Sequence, residues 1–325
     1  MKTGHDPENS DNASRAKAPA LLILAAGLAR RYGSVKPLAP VGCSGDAIID
    51  FAGRDASLAG FGRIVIVVRR AIYSTIKYHI ERCWPSSLEV TYVLQDAEST
   101  LSPNQSVPLG TAHAVLTARP YIEGPFGVVN ADDIYGKDSY QLLRTALNGH
   151  GVFDDSCHIL VGFHLRNTVI TDKPVKRAVC SISPTSYLTG ISERTVLKSK
   201  SGEFLATGGE GPERLEGDEM VSVNMWGFQP SIFPVLERAM DLFNSQHPSS
   251  ELSAVRQGNE AIADYAELLL PDVVSSMLKD GSKTPVRVLE SHDMCIGVTH
   301  PDDLELVKRK MRELVAEGVY PEVLW

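Results

Sequence analysis

The chain has 325 residues, of which 43% are hydrophobic and 22% charged, ordinary globular proportions that exclude a disordered or fibrous protein and suffice for one large core or two smaller ones. Its 40 acidic residues outnumber 32 Lys and Arg, giving a net charge of -8, which argues against nucleic acid or an anionic membrane as the main partner. Small anionic substrates stay compatible, because a few local cations and a metal ion can hold phosphates in an acidic protein.

Residues 1–19 are polar and lack the apolar core of a signal peptide; they read as a disordered tail. The following ALLILAAGLA run is too short to span a bilayer. Five cysteines, Cys43, Cys83, Cys157, Cys180 and Cys295, form no CxxC pair and are odd in number. That fits neither a disulfide framework nor a zinc site, and points to reduced thiols in a cytoplasmic protein.

In chain order, ALLILAA (20–26), RIVIVVR (63–69), LEVTYVL (88–94) and FGVVNA (126–131) are short, nearly continuous apolar runs, the pattern of buried strands. Between them AIIDFAGRDASLAG, YSTIKYHIERCW and TAHAVLTARPYI have helical spacing. This βα alternation predicts an α/β fold with a parallel sheet and ligands beyond the carboxyl ends of its strands. Further on, HILVGFHL, RAVCSIS, YLTGISE and MVSVNMWGF read as strands of a mixed sheet, interrupted by a Gly- and Glu-rich turn region over 199–219. ADYAELLLPDVVSSMLKD and PDDLELVKRKMRELVAEG read as helices, with VRVLE between them. No repeat and no hexapeptide array is present, so no acyltransferase helix of strands is expected. The simplest organisation is one domain over 20–325, with a nucleotide half (20–135) and an acceptor half (136–325).

The first chemical signal is LAAGLARRYGSVKP (24–37), a strand entering a glycine turn that carries Arg31 and Lys36. A triphosphate needs backbone N–H groups within reach of its oxygens and fixed cations against charge developing on the α-phosphate. Ala26 and Gly27 provide the turn; Arg31 and Lys36 provide the cations. FGVVNADDIYG (126–136) ends a buried strand in paired acids, Asp132 and Asp133, where a parallel sheet would place a Mg²⁺ ligand. The polar connection DAESTLSPNQSVP (96–108) is longer than compact domains normally carry and is expected to be a mobile lid. His113, His164, His292 and His300 show no metal-ligand spacing and read as structural.

The first segment resembles the signature loop of the sugar-1-phosphate nucleotidylyltransferases, LxAAGxGxRxxxxxPK, with Lys36 and Pro37 in reversed order and Ala29 in place of the second glycine. The resemblance implies a Rossmann-like sheet flanked by helices, with a smaller acceptor-binding mixed sheet. It implies Arg31 and Lys36 as catalytic, Leu24, Ala25, Ala26 and Gly27 as nucleotide-binding, and Asp132 as the Mg²⁺ ligand. VLQDAE followed by PLGTAHAV resembles the base-binding segments of the uridylyltransferase branch: Gln95 would bond the base edge, Gly110 would let the base lie against backbone, and Thr111 would add a polar contact. TGISER resembles the segment whose glutamate contacts a sugar hydroxyl, implying Glu193, with Arg194 near the acceptor phosphate. VSVNMWGF resembles the EINTGI strand, implying Asn224, with Met225 and Trp226 either closing the pocket or filling core. The second metal ligand stays open among Asp293, Thr299 and Asp302.

The implied reaction joins a nucleoside triphosphate, with UTP favoured, to a phosphorylated sugar or sugar-like alcohol and releases pyrophosphate. Competing readings are a cytidylyltransferase for a non-sugar phosphate such as phosphocholine, or an inactive nucleotide-sugar sensor. No nucleic-acid or membrane partner is expected; a homo-oligomer is compatible with the sequence.

Overall fold

A computed structural model describes residues 18–27, 35–95, 109–149, 157–208, 211–247, 267–281, 284–298 and 301–325. The N-terminal tail up to residue 17 and the expected lid at 96–108 lie outside the described residues.

The four apolar runs of the front half form β1 (Ala20–Leu24), β2 (Arg63–Val68), β3 (Val90–Leu94) and β4 (Phe126–Asn130). They are joined in parallel, in the order β3-β2-β1-β4. The connecting helices are α1 (Ile48–Ala59), α2 (Arg70–Cys83) and α3 (Thr111–Thr117). α3 is shorter than its apolar pattern because Pro120 follows, and the chain continues as a 3-10 turn, Arg119–Tyr121. Next come β5 (Asp133–Ile134), α4 (Lys137–Leu147), β6 (His158–His164), β7 (Val175–Ile182) and β8 (Leu188–Lys198). The 199–219 stretch, expected to be turns, contains the short hairpin β9 (Phe204–Thr207) and β10 (Glu213–Leu215). Its glycines hide an alternating strand, FLAT, whose Phe204 and Ala206 are buried.

β11 (Met220–Phe228) joins the two halves of the sheet. Its first residues pair with β6 and β7, and its last with β4 and β6. The strands of the second half of the chain therefore continue the sheet of the first half, in the order β10-β9-β8-β7-β11-β4-β1-β2-β3. The separate small sheet is instead the ribbon of β5 with β13 (Ile296–Gly297). The remaining elements are α5 (Phe233–Gln246), α6 (Leu270–Lys279), β12 (Val286–Ser291), which pairs with β6 in parallel, and α7 (Leu304–Ala316). Among the described residues no helix is long and apolar enough to cross a membrane.

One core layer fills the space between the sheet and α1, α2 and α4, built on Ile23, Ile66 and Val129. Another lies under α3, α5 and α6, built on Leu22, Val67 and Val128. The two sets alternate along β1, β2 and β4, as a sheet covered on both faces requires. A third cluster packs α7 and the C-terminal residues, Tyr320 and Leu324, onto Ile48 and Phe51 of α1.

That last contact contains a titratable group. Tyr320 donates its hydroxyl to Asp55 Oδ2 at 2.6 Å, in a site where Asp55 is 1% exposed. Burial pushes the Asp55 carboxyl up to about 6, against the opposing pull of Tyr320 and Arg54. The folded chain thus keeps a proton that the unfolded chain has lost, so this group's contribution to stability falls as pH rises from about 4 through about 6. A rise of about two pH units corresponds to about 3 kcal/mol. Asp55→Asn retains an oxygen for Tyr320 and is expected to remove this fall. Urea unfolding at pH 4 and pH 7 checks it, and equal pH slopes in the two proteins would contradict the assignment.

Candidate nucleotide and acceptor site

The carboxyl ends of β1, β2 and β4 converge at one edge of the parallel sheet. Leu24, Ala25 and Ala26 end β1 as buried residues, and Ala25 N–H donates to Val67 O at 2.8 Å. Gly27 is exposed, its carbonyl accepting from Arg69 Nη2 at 3.4 Å. No described atom lies within 4 Å of where a Cβ on Gly27 would stand. Any demand for glycine there comes from a ligand or from neighbours outside the described residues. Arg31 lies outside the described residues.

Lys36 opens a 3-10 turn, Lys36–Leu38, in which Pro37 supplies a fixed φ. Its ammonium donates to Asp132 Oδ2 at 2.5 Å, joining residues 96 apart in sequence. Asp132 follows β4 directly, and its side chain is 32% exposed, so the pair faces outward at the strand ends. Asp133 behind it accepts from Asn130 Nδ2 at 3.0 Å. A Cβ on Gly297 of β13 would stand 2.2 Å from Asp133 Oδ1, so only glycine fits against this carboxylate. Burial, then the charge of Asp132, raises the Asp133 carboxyl above its ordinary range, with Lys36 opposing. Asp133 is therefore disposed to hold a proton, while Asp132 is the acid held by a cation.

The base-side residues are drawn together at the start of α3. Gln95 is 3% exposed, and its Nε2 donates to Gly110 O at 3.2 Å and to His113 Nδ1 at 3.0 Å. Burial holds His113 down at about 4, so the ring is neutral near pH 7 and can accept at Nδ1. Gly110 has φ +97, and a Cβ there would stand 2.4 Å from Leu268 O. The fold itself requires this glycine, since a side chain would meet the 268–270 segment. Thr111 is not the N-cap of α3: Gly110 occupies that position, and the Thr111 hydroxyl accepts from Leu270 N–H at 2.9 Å, capping α6 instead.

On the acceptor side, Asn224 has φ +68, a left-handed conformation for a non-glycine residue, at the irregularity where β11 changes partners. Its Nδ2 donates to Asn130 Oδ1 at 2.7 Å, and its Oδ1 accepts from Trp226 Nε1 at 2.8 Å. One amide hydrogen remains for a ligand. Met225 and Trp226 are fully buried, so both fill core. Glu193 accepts from Lys176 Nζ at 2.8 Å, and its charge reaches Asp272 of α6, whose carboxyl is raised chiefly by burial. Arg194 is turned instead towards Gly208 O and Glu213. Adjacent strand residues face opposite ways, so the structure does not bring Glu193 and Arg194 to one point.

Sequence reasoning missed Asn130, which links Asn224 to Asp133 and could have been noticed as a polar residue ending a buried strand. It also missed Lys176, which no local pattern marks, and the role of His113 behind Gln95. Of the candidates left open for a second metal ligand, the two described ones have other partners. Asp293 caps α4 through Ser139 N–H at 2.7 Å, Asp302 pairs with Lys173 at 3.5 Å, and Thr299 lies outside the described residues. Among the described residues, Asp132 belongs to no group of three metal-ligating side chains.

β1 ending at Leu24, the Lys36 ammonium and the Asp132 carboxylate lie at the carboxyl edge of the parallel sheet, where open α/β sheets bind their ligands, and comparison with known proteins bears on the kind of ligand. Residues 21–161 match the MobA-like NTP transferase domain. The match runs from β1 into β6 and includes Lys36, Gln95, Gly110, Thr111 and Asp132. The fold around the NTP transferase domain is shared with the inositol-1-phosphate CTP transferase from T. maritima, with a TM-score of 0.57 and 14% identity over 92% of this chain and 96% of that one. HddC from Yersinia pseudotuberculosis is also similar, with a TM-score of 0.53 and 16% identity over 90% of this chain and 99% of that one. No curated protein sequence matches the chain.

Proposed function

We propose that the chain transfers a nucleoside monophosphate from a pyrimidine triphosphate to a phosphorylated sugar or sugar-like polyol, releasing pyrophosphate. The observation that carries this reading is the Lys36–Asp132 pair, which joins the turn before α1 to the residues that follow β4, inside the NTP transferase match. An acceptor phosphate oxygen attacks the α-phosphorus and pyrophosphate leaves in line. The protein's share is positioning and charge stabilisation, without a covalent enzyme intermediate. Lys36, joined by Arg31, meets the charge developing on the α-phosphoryl oxygens. The donor set at Asp132 consists of oxygen atoms and already holds a cationic group, which fits Mg²⁺ with substrate phosphates completing its coordination. Bound there, Mg²⁺ would neutralise phosphate charge.

For the base, both Nε2 hydrogens of Gln95 are spent on Gly110 and His113, so a ligand meets its carbonyl oxygen. That acceptor suits the N3–H of uracil, the base of UTP, and equally the exocyclic amine of cytosine. CTP is therefore the second reading, and the fold shared with an inositol-1-phosphate CTP transferase favours it. Asn224 and Glu193 offer hydroxyl-binding groups on the acceptor side. The enzyme should act in the cytoplasm, where both substrates occur. A matrix of four triphosphates against glucose-1-phosphate, N-acetylglucosamine-1-phosphate, mannose-1-phosphate, inositol-1-phosphate and phosphocholine, with Mg²⁺, tests the proposal. Pyrophosphate release with a pyrimidine triphosphate and a polyhydroxyl acceptor is expected. Release with phosphocholine alone would overturn the acceptor class, and triphosphate binding without any release would favour a sensor.

A further inference from the structure

Away from the nucleotide edge, the parallel pair β6–β12 ends in three side chains that could ligate a metal: His164, Glu290 and His292. Ser291 pairs with Phe163, so the next residues, His292 and His164, are neighbours across the strands. Glu290 shares a face with His292 by the two-residue period. His164 Nε2 lies 2.8 Å from Glu290 Oε1, and His292 Nδ1 lies 3.9 Å from the same oxygen. The imidazole rings stack at 5.7 Å between centroids, and all three ligand atoms fall within 4.8 Å of one another.

The other nitrogen of His164 supplies an independent observation. Nδ1 lies 3.2 Å from the carbonyl oxygen of Asp218. A carbonyl can only accept, so Nδ1 carries the proton, and in the neutral ring Nε2 presents its lone pair towards Glu290. Two lone pairs then face each other at 2.8 Å, an arrangement that needs a cation between them or a second proton on the ring. A backbone carbonyl that fixes one imidazole nitrogen so the other is free to ligate is the outer support typical of histidine metal sites.

The geometry points to a divalent transition-metal site on His164, Glu290 and His292, separate from the Mg²⁺ reading at Asp132. Two imidazoles and one carboxylate suit zinc, cobalt or nickel rather than the hard cations that bind oxygen alone. Ligand bonds of about 2.0–2.2 Å require ligand atoms about 3.3 Å apart, which the exposed His292 and Glu290 side chains reach by small rotations. The fourth position is left to solvent. An ion there fastens the end of β12 to β6 at the start of the loop leading to β13, whose Gly297 abuts Asp133.

Cobalt titration of the metal-stripped full chain, in excess Mg²⁺, tests the site. The expected result is one saturable equivalent, visible d–d absorption and no thiolate charge-transfer band. His292→Ala and Glu290→Gln should each weaken binding by at least the ~10–100-fold that loss of an outer-shell partner costs, with unchanged far-ultraviolet circular dichroism. Absence of saturable binding would mean that His164 is simply protonated between Asp218 and Glu290. A titration unchanged in His292→Ala, or a thiolate band from the cysteines, would equally overturn the proposal.

Discussion

Lys36→Ala is expected to lower turnover by roughly 100-fold or more, the scale of removing one preorganised contact to charge that develops in the transition state. The loss should fall on kcat rather than on KM, because the ammonium contributes most once negative charge has built up on the α-phosphoryl group. That ammonium sits on Asp132 at 2.5 Å, so the two side chains form one electrostatic unit. Asp132→Asn should cost a similar factor. The double variant should lose much less than the product of the two single losses, since partners in one ion pair are not additive. Steady-state kinetics on the three proteins, with circular dichroism to confirm folding, measures this. Near-normal turnover in either single variant would remove Lys36 or Asp132 from the proposed chemistry.

Asp50→Ala is expected to produce the largest loss of stability of any single change considered, about 3–5 kcal/mol. The Asp50 side chain, 2% exposed, accepts from Ala47 N–H at 2.7 Å, Trp84 Nε1 at 2.7 Å and His79 Nε2 at 2.9 Å. His79 can turn to water, but Ala47 and Trp84 are buried. Each of these two orphaned donors costs about 1–3 kcal/mol, the Ala47 N–H being also the helix-start contact. The consequence reaches the site through short steps: Ile48 N–H bonds Ala39 O, and Ala39 N–H bonds Lys36 O. The start of α1 therefore anchors the turn that presents Lys36. Asp50→Asn, which keeps one acceptor, should lose less. Urea unfolding reads both, and a loss under about 1 kcal/mol in Asp50→Ala would show that this cluster is not the anchor described.

The parallel half of the fold was legible because each of β1, β2 and β4 is buried on both faces and is written as an unbroken apolar run. That Asp132 would lie just beyond the carboxyl end of β4 was legible for the same reason, whereas its contact with Lys36, on a turn well beyond the end of β1, was not. What was not legible depends on pairing between distant strands. Nothing near Asn224 shows that Asn130 will take one of its amide hydrogens, because that follows from the β4–β11 register. Nothing near His164 shows that His292 will stand beside it, because β6 and β12 are more than 100 residues apart. Thr111 illustrates a further limit: nothing around it in the sequence shows that Leu270, 159 residues on, will claim its hydroxyl. The β9–β10 hairpin was hidden by glycines that, in strands of four and three residues, outweigh the short alternation.

The most direct test of nucleotidyl transfer follows the label from each phosphate of the triphosphate. With the productive acceptor and Mg²⁺, label at the α-phosphorus should appear in a nucleotide–acceptor product, and label at the γ-phosphorus only in pyrophosphate. Label from the γ-position in the acceptor, or release of inorganic phosphate with no α-labelled product, would contradict the account.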